Sequence, residues 1–118
     1  MSIKVVAVVK DLFFVARIKE TARMVGTTLV FARTPEDLRS SLAEATDLVI
    51  LDLTTNGWDY KAFFAALDSL APRPPVLGFT THALARATQP LHGRCARVVT
   101  KETLTQELPE LLKSGVAA

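Results

Sequence analysis

The chain has 118 residues, of which 49% are hydrophobic, and both values match a single domain over 1–118 with a substantial core and no separate output domain. Fourteen basic and 12 acidic residues leave a net charge of +2. The arginines are scattered, which excludes the basic patch typical of nucleic-acid binding. The first apolar run is too short for a membrane span, and one cysteine excludes an internal disulfide. We therefore expect a cytoplasmic protein that binds neither nucleic acid nor membrane.

The first half of the chain shows strand and helix signals in alternation. A strand, a helix, a strand and a second helix are predicted at residues 3–9, 12–25, 28–32 and 35–45. Gly26 is a natural stop for the first helix, because glycine readily adopts the left-handed conformation that ends helices. Thr34 is the predicted N-cap of the second helix, and Pro35 fits its first position, where no backbone N–H is needed.

The second half continues this alternation around proline-rich breaks. Strands and helices are predicted in turn at residues 47–53, 59–70, 76–79, 82–89, 96–100 and 103–113. The connector at 71–75 contains three prolines and cannot be helical. Pro90 is expected to follow the end of the fourth helix, and Pro109 predicts a kink or a late start in the fifth. Only the tail at 115–118 has the composition of a loose segment.

Strands that alternate with helices require right-handed crossovers, so this pattern predicts an α/β fold with a doubly wound, five-stranded parallel sheet. In such sheets, ligands bind beyond the carboxyl ends of the strands. Four residues of suitable chemistry follow four different strands: Asp11, Asp52, Thr80 and Lys101. A carboxylate that accepts a phosphoryl group needs a cation and hydrogen-bond donors for the transferred oxygens. The set therefore predicts a phosphoryl-accepting site centred on Asp52.

Three segments carry a resemblance to a known family: 51–59 with Asp52, 75–82 with Thr80, and 93–101. They resemble the phosphoacceptor stretch, the hydroxyl-bearing fourth strand and the approach to the lysine of response-regulator receiver domains. These are the chemotaxis (CheY-like) modules of two-component phosphorelay signalling. The resemblance covers essentially the whole chain and implies a flavodoxin-like sheet with strand order 2-1-3-4-5.

The resemblance also implies roles for individual residues. Asp52 stands where the phosphorylated aspartate belongs, Thr80 where the switch hydroxyl belongs, and Lys101 where the phosphate-contacting lysine belongs. Asp11 and Asp52 would be the ligands of a Mg²⁺ ion. The implied partners are proteins, either a histidine kinase or a downstream signalling protein, and a homodimer through the surface of the last two helices is a further option.

The chain departs from the family pattern at the metal pocket. Where the family has two adjacent acids after its first strand, this chain has Lys10 and Asp11. A fixed ammonium about 5 Å from a divalent ion would cost several kcal/mol at an effective dielectric constant near 20, although a flexible lysine can move into water. We therefore expect weakened Mg²⁺ binding. Lys10 could instead form a salt bridge with Asp52 and take the place of the metal.

Three further departures weaken the expected relay from the site to a distant surface. Asn56 and Glu102 replace two prolines of the family, and Val98 replaces an aromatic residue that moves with the threonine.

Each candidate also has a purely structural interpretation. Asp11 can be a helix N-cap, and Asp52 can accept a hydrogen bond from the amide of Thr54 or Thr55 in a turn. Thr80 can simply end a strand, and Lys101 can be a solvated surface charge.

Aromatic residues near the predicted site also have two interpretations. Trp58 and Tyr60 can mark a partner surface or cover the first turn of the third helix. At most one of Phe13 and Phe14 can face the core, so the other is a candidate contact residue. His82 follows the fourth strand and can contact a ligand or lie at the surface.

Three functions are consistent with these residues. We favour a stand-alone, atypical receiver-like signalling domain, a pseudo-receiver, that is not an enzyme and acts through protein contacts. The alternative is a fully phosphorylatable receiver that takes its phosphoryl group from a histidine kinase. A remote alternative is a small hydrolase with Asp52 as nucleophile. The segment after Asp52 weakly resembles haloacid dehalogenase-type phosphatases, but Thr54 stands where they carry a second acid.

Overall fold

The protein forms one parallel sheet of five strands, with helices on both faces. A computed structural model describes residues 3–70 and 72–115. The strands are β1 (Lys4–Val8), β2 (Thr28–Phe31), β3 (Leu48–Asp52), β4 (Val76–Thr80) and β5 (Arg97–Thr100). The helices are α1 (Leu12–Val25), α2 (Pro35–Ser41), α3 (Tyr60–Asp68), α4 (Gln89–His92) and α5 (Lys101–Ser114). The strand order is β2-β1-β3-β4-β5, which confirms the predicted topology.

The core lies in two layers, one on each face of the sheet. Alternate residues of one strand point to opposite faces, so Val5 and Ala7 enter one layer while Val6 and Val8 enter the other. Helices α1 and α5 cover the first layer, and α2 and α3 cover the second. All residues of β3 and β4 are buried, as expected for central strands covered on both faces.

The local signals at the first two helices are confirmed. Helix α1 spans the predicted residues and ends at Gly26, whose φ of 75° is left-handed. The Thr34 side chain accepts a hydrogen bond from the Asp37 amide, as expected of an N-cap. Helix α2 ends at Ser41, before the predicted residue 45, and the Ser41 carbonyl accepts a hydrogen bond from Lys4 Nζ. The chain then turns back to the sheet, where the Asp47 amide donates to the Lys4 carbonyl.

The predicted helix at 82–89 is wrong. Residues 82–88 form turns, closed partly by short-range bonds such as Leu84 N to the Thr81 carbonyl, and only α4 is helical. Pro90 lies in the first turn of α4, where a missing N–H has no cost, and so it begins a helix rather than following one.

Helix α5 begins at Lys101, two residues before the predicted start, and continues through Pro109, so the predicted late start is also wrong.

Residues 72–75 of the predicted connector are not helical; Ala71 and residues 116–118 of the predicted loose tail lie outside the described residues. Within the described ranges, no helix is long and apolar enough to cross a bilayer.

Candidate functional site

The four predicted site residues lie at the same edge of the sheet. Asp52 is the last residue of β3 and Thr80 the last of β4. Thr80 is the register partner of Thr100, so Lys101 follows directly at the start of α5. Asp11 lies three residues beyond the end of β1 and caps α1. The topology therefore brings all four residues to the carboxyl ends of the strands, where α/β proteins place their sites.

Asp52 is buried, with 6% of its surface exposed, and its carboxylate is bound by neutral donors. Oδ1 accepts hydrogen bonds from the Thr54 amide at 2.8 Å and from Thr54 Oγ1 at 2.6 Å. Oδ2 accepts from Thr55 Oγ1 at 3.3 Å. The turn interpretation of Asp52 foresaw the amide bond but neither hydroxyl. These donors satisfy a carboxylate that would otherwise be costly to bury.

Tyr60 closes the loop that follows Asp52. Its hydroxyl donates to the Asp52 carbonyl at 2.7 Å and accepts from the Thr55 amide at 3.0 Å. The pKa of Tyr60 is raised to about 12, mainly by burial, with the nearby Asp52 charge also contributing. The Trp58 ring packs against Phe63 at 5.3 Å between centroids, and Tyr60 packs at 6.4 Å from the same ring. Both aromatics therefore cover the first turn of α3.

Asp11 and Lys101 form a half-exposed pair at the other side of the site. Asp11 Oδ1 accepts from the amides of Phe13 and Phe14, at 2.9 and 3.2 Å, so Asp11 is an N-cap. Its Oδ2 accepts from Lys101 Nζ at 3.1 Å. The Lys101 hydrogen bond, followed by the Phe14 amide, lowers the pKa of the Asp11 carboxyl. The ammonium also lies 5.1 Å from the centroid of the Phe14 ring. Asp11 therefore combines a capping role with an ion pair.

Thr80 belongs to a third network. It is 3% exposed, and its hydroxyl lies 3.0 Å from Thr88 Oγ1. Thr88 is 6% exposed, and its hydroxyl also lies 2.8 Å from His92 Nε2. Sequence reasoning missed both partners. Their only signal was the four-residue spacing of Thr88 and His92, which places them on one face of a helical turn.

The four site residues thus share an edge but not a hydrogen-bond network. Within the described ranges, no hydrogen bond joins Asp52 to Asp11, Thr80 or Lys101. Lys10 is exposed and takes part in none of the ion pairs formed by these residues, so the alternative of a salt bridge with Asp52 is not realised. The described part of the chain also holds no group of three or more metal-binding side chains.

A groove of about 1010 Å³ lies beside the Asp11–Lys101 pair. It runs between α1, the turn that follows β4 and the start of α5, and Phe13, His82 and Lys101 are among its lining residues. Phe13 is 92% exposed, whereas Phe14 is buried, which confirms that only one of the two faces the core. An exposed phenylalanine therefore lies at the mouth of the groove.

Comparison with known structures defines the class of fold. No family model matches the chain, and no curated protein matches it. The chain has the fold of CheY-like response-regulator receiver domains, which confirms the resemblance at the level of fold. The chemotaxis response regulator CheY4 of Vibrio cholerae has a TM-score of 0.77 and 18% identity, over 98% of this chain and 100% of that one.

Two other solved structures show the same likeness. The receiver domain of a Pseudomonas aeruginosa sensor histidine kinase, which carries a magnesium ion in its active-site cleft, has a TM-score of 0.75 and 16% identity over 96% of each chain. The phosphorylated cyanobacterial phytochrome response regulator RcpA has a TM-score of 0.70 and 19% identity, over 99% of this chain and 98% of that one.

Proposed function

We propose that this chain forms a cytoplasmic receiver-like signalling domain of the two-component type. It acts through contacts with other proteins, and phosphorylation at Asp52 is weak. The observation that carries this proposal is the carboxylate of Asp52, buried at the end of β3 and already bound by Thr54 and Thr55. The position of this acid at the carboxyl end of β3 supports its assignment as the acceptor, and its hydrogen bonds to Thr54 and Thr55 support a preset state.

The carboxylates fit a Mg²⁺ ion poorly. Mg²⁺ is usually held by one or two carboxylates plus water in strict octahedral geometry. Here one Asp11 oxygen caps α1 and the other contacts Lys101, while both Asp52 oxygens accept from threonines. Lys10 is exposed and can move into water, so the missing acid at this position weakens the site more than repulsion by the lysine does. We infer weak Mg²⁺ binding.

Phosphoryl transfer would form a bond between Asp52 Oδ and phosphorus and break the bond between phosphorus and its donor. The Thr54 hydroxyl and amide both occupy Oδ1, so attack by that oxygen requires Thr54 to release it; attack by Oδ2 requires the longer Thr55 bond to break. Lys101 and Thr80, which contact Asp11 and Thr88, would have to turn toward the transferred oxygens to stabilise them. These rearrangements favour slow acceptance.

The direct test is labelling with acetyl phosphate and Mg²⁺, followed by intact mass spectrometry. We expect little mass increase in the wild-type protein over the time in which an active receiver is fully labelled. The Asp52→Asn variant is the matched control for modification elsewhere. Rapid, complete labelling that disappears in Asp52→Asn would overturn the proposal in favour of an ordinary receiver.

A second test restores the missing acid. Lys10→Asp should bind Mg²⁺ more tightly than wild type, measured by Trp58 fluorescence, because Trp58 packs beside the loop that follows Asp52. Lys19→Asp makes the same charge change on the exposed side of α1 and should leave the affinity unchanged. Equal effects of the two variants would show that Lys10 does not sense the pocket.

The partner contact that we propose begins at the first turn of α1. Leu12 and Phe13 are 70% and 92% exposed, and both adjoin Asp11 at the edge of the site. Exposed apolar side chains next to a polar rim are typical of protein contact surfaces. A histidine kinase and a downstream signalling protein are the two partner classes. Sedimentation velocity would test the further prediction of a homodimer.

We propose no enzymatic activity. A hydrolase that uses Asp52 as nucleophile needs a general acid, and Thr54, which occupies the relevant position, instead donates to the carboxylate. Absence of phosphate release from p-nitrophenyl phosphate is the expected result; release that depends on Asp52 would revive the hydrolase alternative.

A further inference from the structure

The hydroxyl of Thr80 is linked to one particular element of the fold. Its hydrogen-bond partner among the described residues is Thr88, which immediately precedes α4. Strand β5 offers no comparable partner. Thr100, the register partner of Thr80, has its hydroxyl occupied by the amide and hydroxyl of Thr103, and the Val98 side chain carries no polar atom. The polar connection from the site edge therefore runs to α4.

The Thr88 hydroxyl has more partners than it has hydrogens. It contacts Thr80 Oγ1 at 3.0 Å, the Ala85 carbonyl at 3.2 Å and His92 Nε2 at 2.8 Å. A threonine hydroxyl donates only one hydrogen, and a carbonyl can only accept. If His92 Nε2 accepts, it takes the Thr88 hydrogen, and Thr80 must donate to Thr88. If Nε2 carries a hydrogen, it donates to Thr88, whose own hydrogen is then free for Thr80 or Ala85.

We propose that His92 is a positioning residue that sets the direction of the Thr80 hydroxyl through Thr88. The short helix α4, rather than β5, is then the element that responds to a change at Thr80. This inference rests on the proposed function only in assigning Thr80 to the Asp52 site. The hydrogen-bond coupling itself is a property of the free protein and can be measured without a partner or a phosphoryl donor.

The test uses the two histidines of the chain as paired NMR probes. Thr80→Val removes the hydroxyl while preserving shape, and it should shift the ring ¹³Cε1 and ¹⁵Nε2 signals of His92 more than those of the exposed His82. Thr88→Val should shift the His92 ring signals more than Thr80→Val does. Thr80→Ser and Thr88→Ser keep the hydroxyl, so they should leave the His92 signals close to those of wild type. Thr81→Val is the matched control, because its hydroxyl contacts the Leu84 amide instead.

Amide exchange gives a second measurement that does not depend on the histidine signals. Thr80→Val should accelerate exchange at residues 91–94, which bond back to Thr88 and the α4 turn, and leave 97–100 unchanged. The proposal is overturned if His92 is insensitive to Thr80→Val, if Thr81→Val has an equal effect, or if exchange changes in β5 and not in α4. Rapid phosphorylation of Asp52 would contradict the proposed function but leave this coupling intact, so the two failures are distinguishable.

Discussion

Asp52 and Asp11 both lie at the carboxyl ends of interior strands, at the same edge of the sheet, but their surroundings are opposite. Asp52 is 6% exposed and bound by hydroxyl and amide donors, whereas the Asp11 side chain is 41% exposed and pairs with an ammonium. The difference follows from depth, because Asp52 is still part of β3 while Asp11 lies three residues beyond β1. The buried Asp52 carboxylate is therefore held by the loop that follows it, whereas the exposed Asp11 carboxylate pairs with Lys101 from a distant part of the chain.

The largest expected effect concerns the packing behind Asp52. A Cβ at Gly78 would lie 2.9 Å from both Cys95 Sγ and Leu53 Cδ1, and Leu53 adjoins Asp52. Gly78→Ala should therefore lower the free energy of unfolding by about 1–3 kcal/mol, measured by urea denaturation. Gly93→Ala is the matched control, since nothing lies within 4 Å and its φ is −68°. Equal destabilisation by both variants would show that the buried side is no more tightly packed than the exposed loop.

Removing the hydroxyl that binds Asp52 should destabilise the protein by a comparable amount. Thr54→Val removes a donor to a buried carboxylate, and hydrogen bonds to charged groups contribute about 1.5–3 kcal/mol. The Thr21 hydroxyl donates only to the Arg17 carbonyl in its own helix, so Thr21→Val should cost less than about 0.5 kcal/mol. A small loss for Thr54→Val, near that of Thr21→Val, would contradict the preset state of Asp52.

Tyr60 should make the buried region sensitive to alkali. Its pKa of about 12 lies above the ordinary value of about 10, so folding favours the neutral phenol. This contribution to stability is fully present below pH 10 and is lost as the pH rises towards 12. Tyr60 is the only tyrosine, so tyrosinate absorbance reports it directly. At neutral pH, Tyr60→Phe should cost about 1 kcal/mol and remove the alkaline loss. Titration of the folded protein near pH 10 would contradict this.

Removing the exposed Asp11–Lys101 ion pair should change the free energy of unfolding least. Lys101→Gln should cost about 0.5 kcal/mol or less at low ionic strength, because exposed ion pairs contribute little and are screened by salt. Since the folded pKa of Asp11 is lowered, its contribution is present above the ordinary value of about 3.9 and is lost as the pH falls through the folded pKa. Wild type and Lys101→Gln should therefore converge in strong acid.

Asp11→Asn is the control for that pair, because asparagine keeps the N-cap and loses the charge. Asp11→Asn should lower the free energy of unfolding by the same amount as Lys101→Gln. Asp11→Ala also loses the N-cap and should cost about 1 kcal/mol. If Lys101→Gln lowered the free energy of unfolding by about 2 kcal/mol or more, the Asp11–Lys101 pair would stabilise the fold as strongly as the buried contacts of Asp52. The contrast between the two carboxylates would then be wrong.

Local signals predicted most elements, but the helix predicted at 82–89 is wrong, and the end of α2 and the start of α5 are misplaced. Gly26 and Thr34 act within a few residues of themselves, and both fulfil the predicted capping roles. The prediction at Pro90 failed because proline is common both after the end of a helix and in its first turn. Which of the two applies here depends on tertiary contacts, such as the hydrogen bond between Thr88 and His92. The last residue of α2 likewise receives a hydrogen bond from Lys4, 37 positions away in the sequence, a contact that local signals do not show.

The sequence by itself determined the alternation of strands and helices, the parallel sheet and the meeting of four reactive residues at its edge. Periodicity and capping are interactions between near neighbours, so they can be read along the chain. Only the tertiary structure decided which donor satisfies each polar group: Lys101 reaches Asp11 across 90 positions, Thr80 turns to α4, and Asp52 is satisfied by its own loop. Those choices depend on depth and direction at the sheet edge, which exist only once the strands have packed.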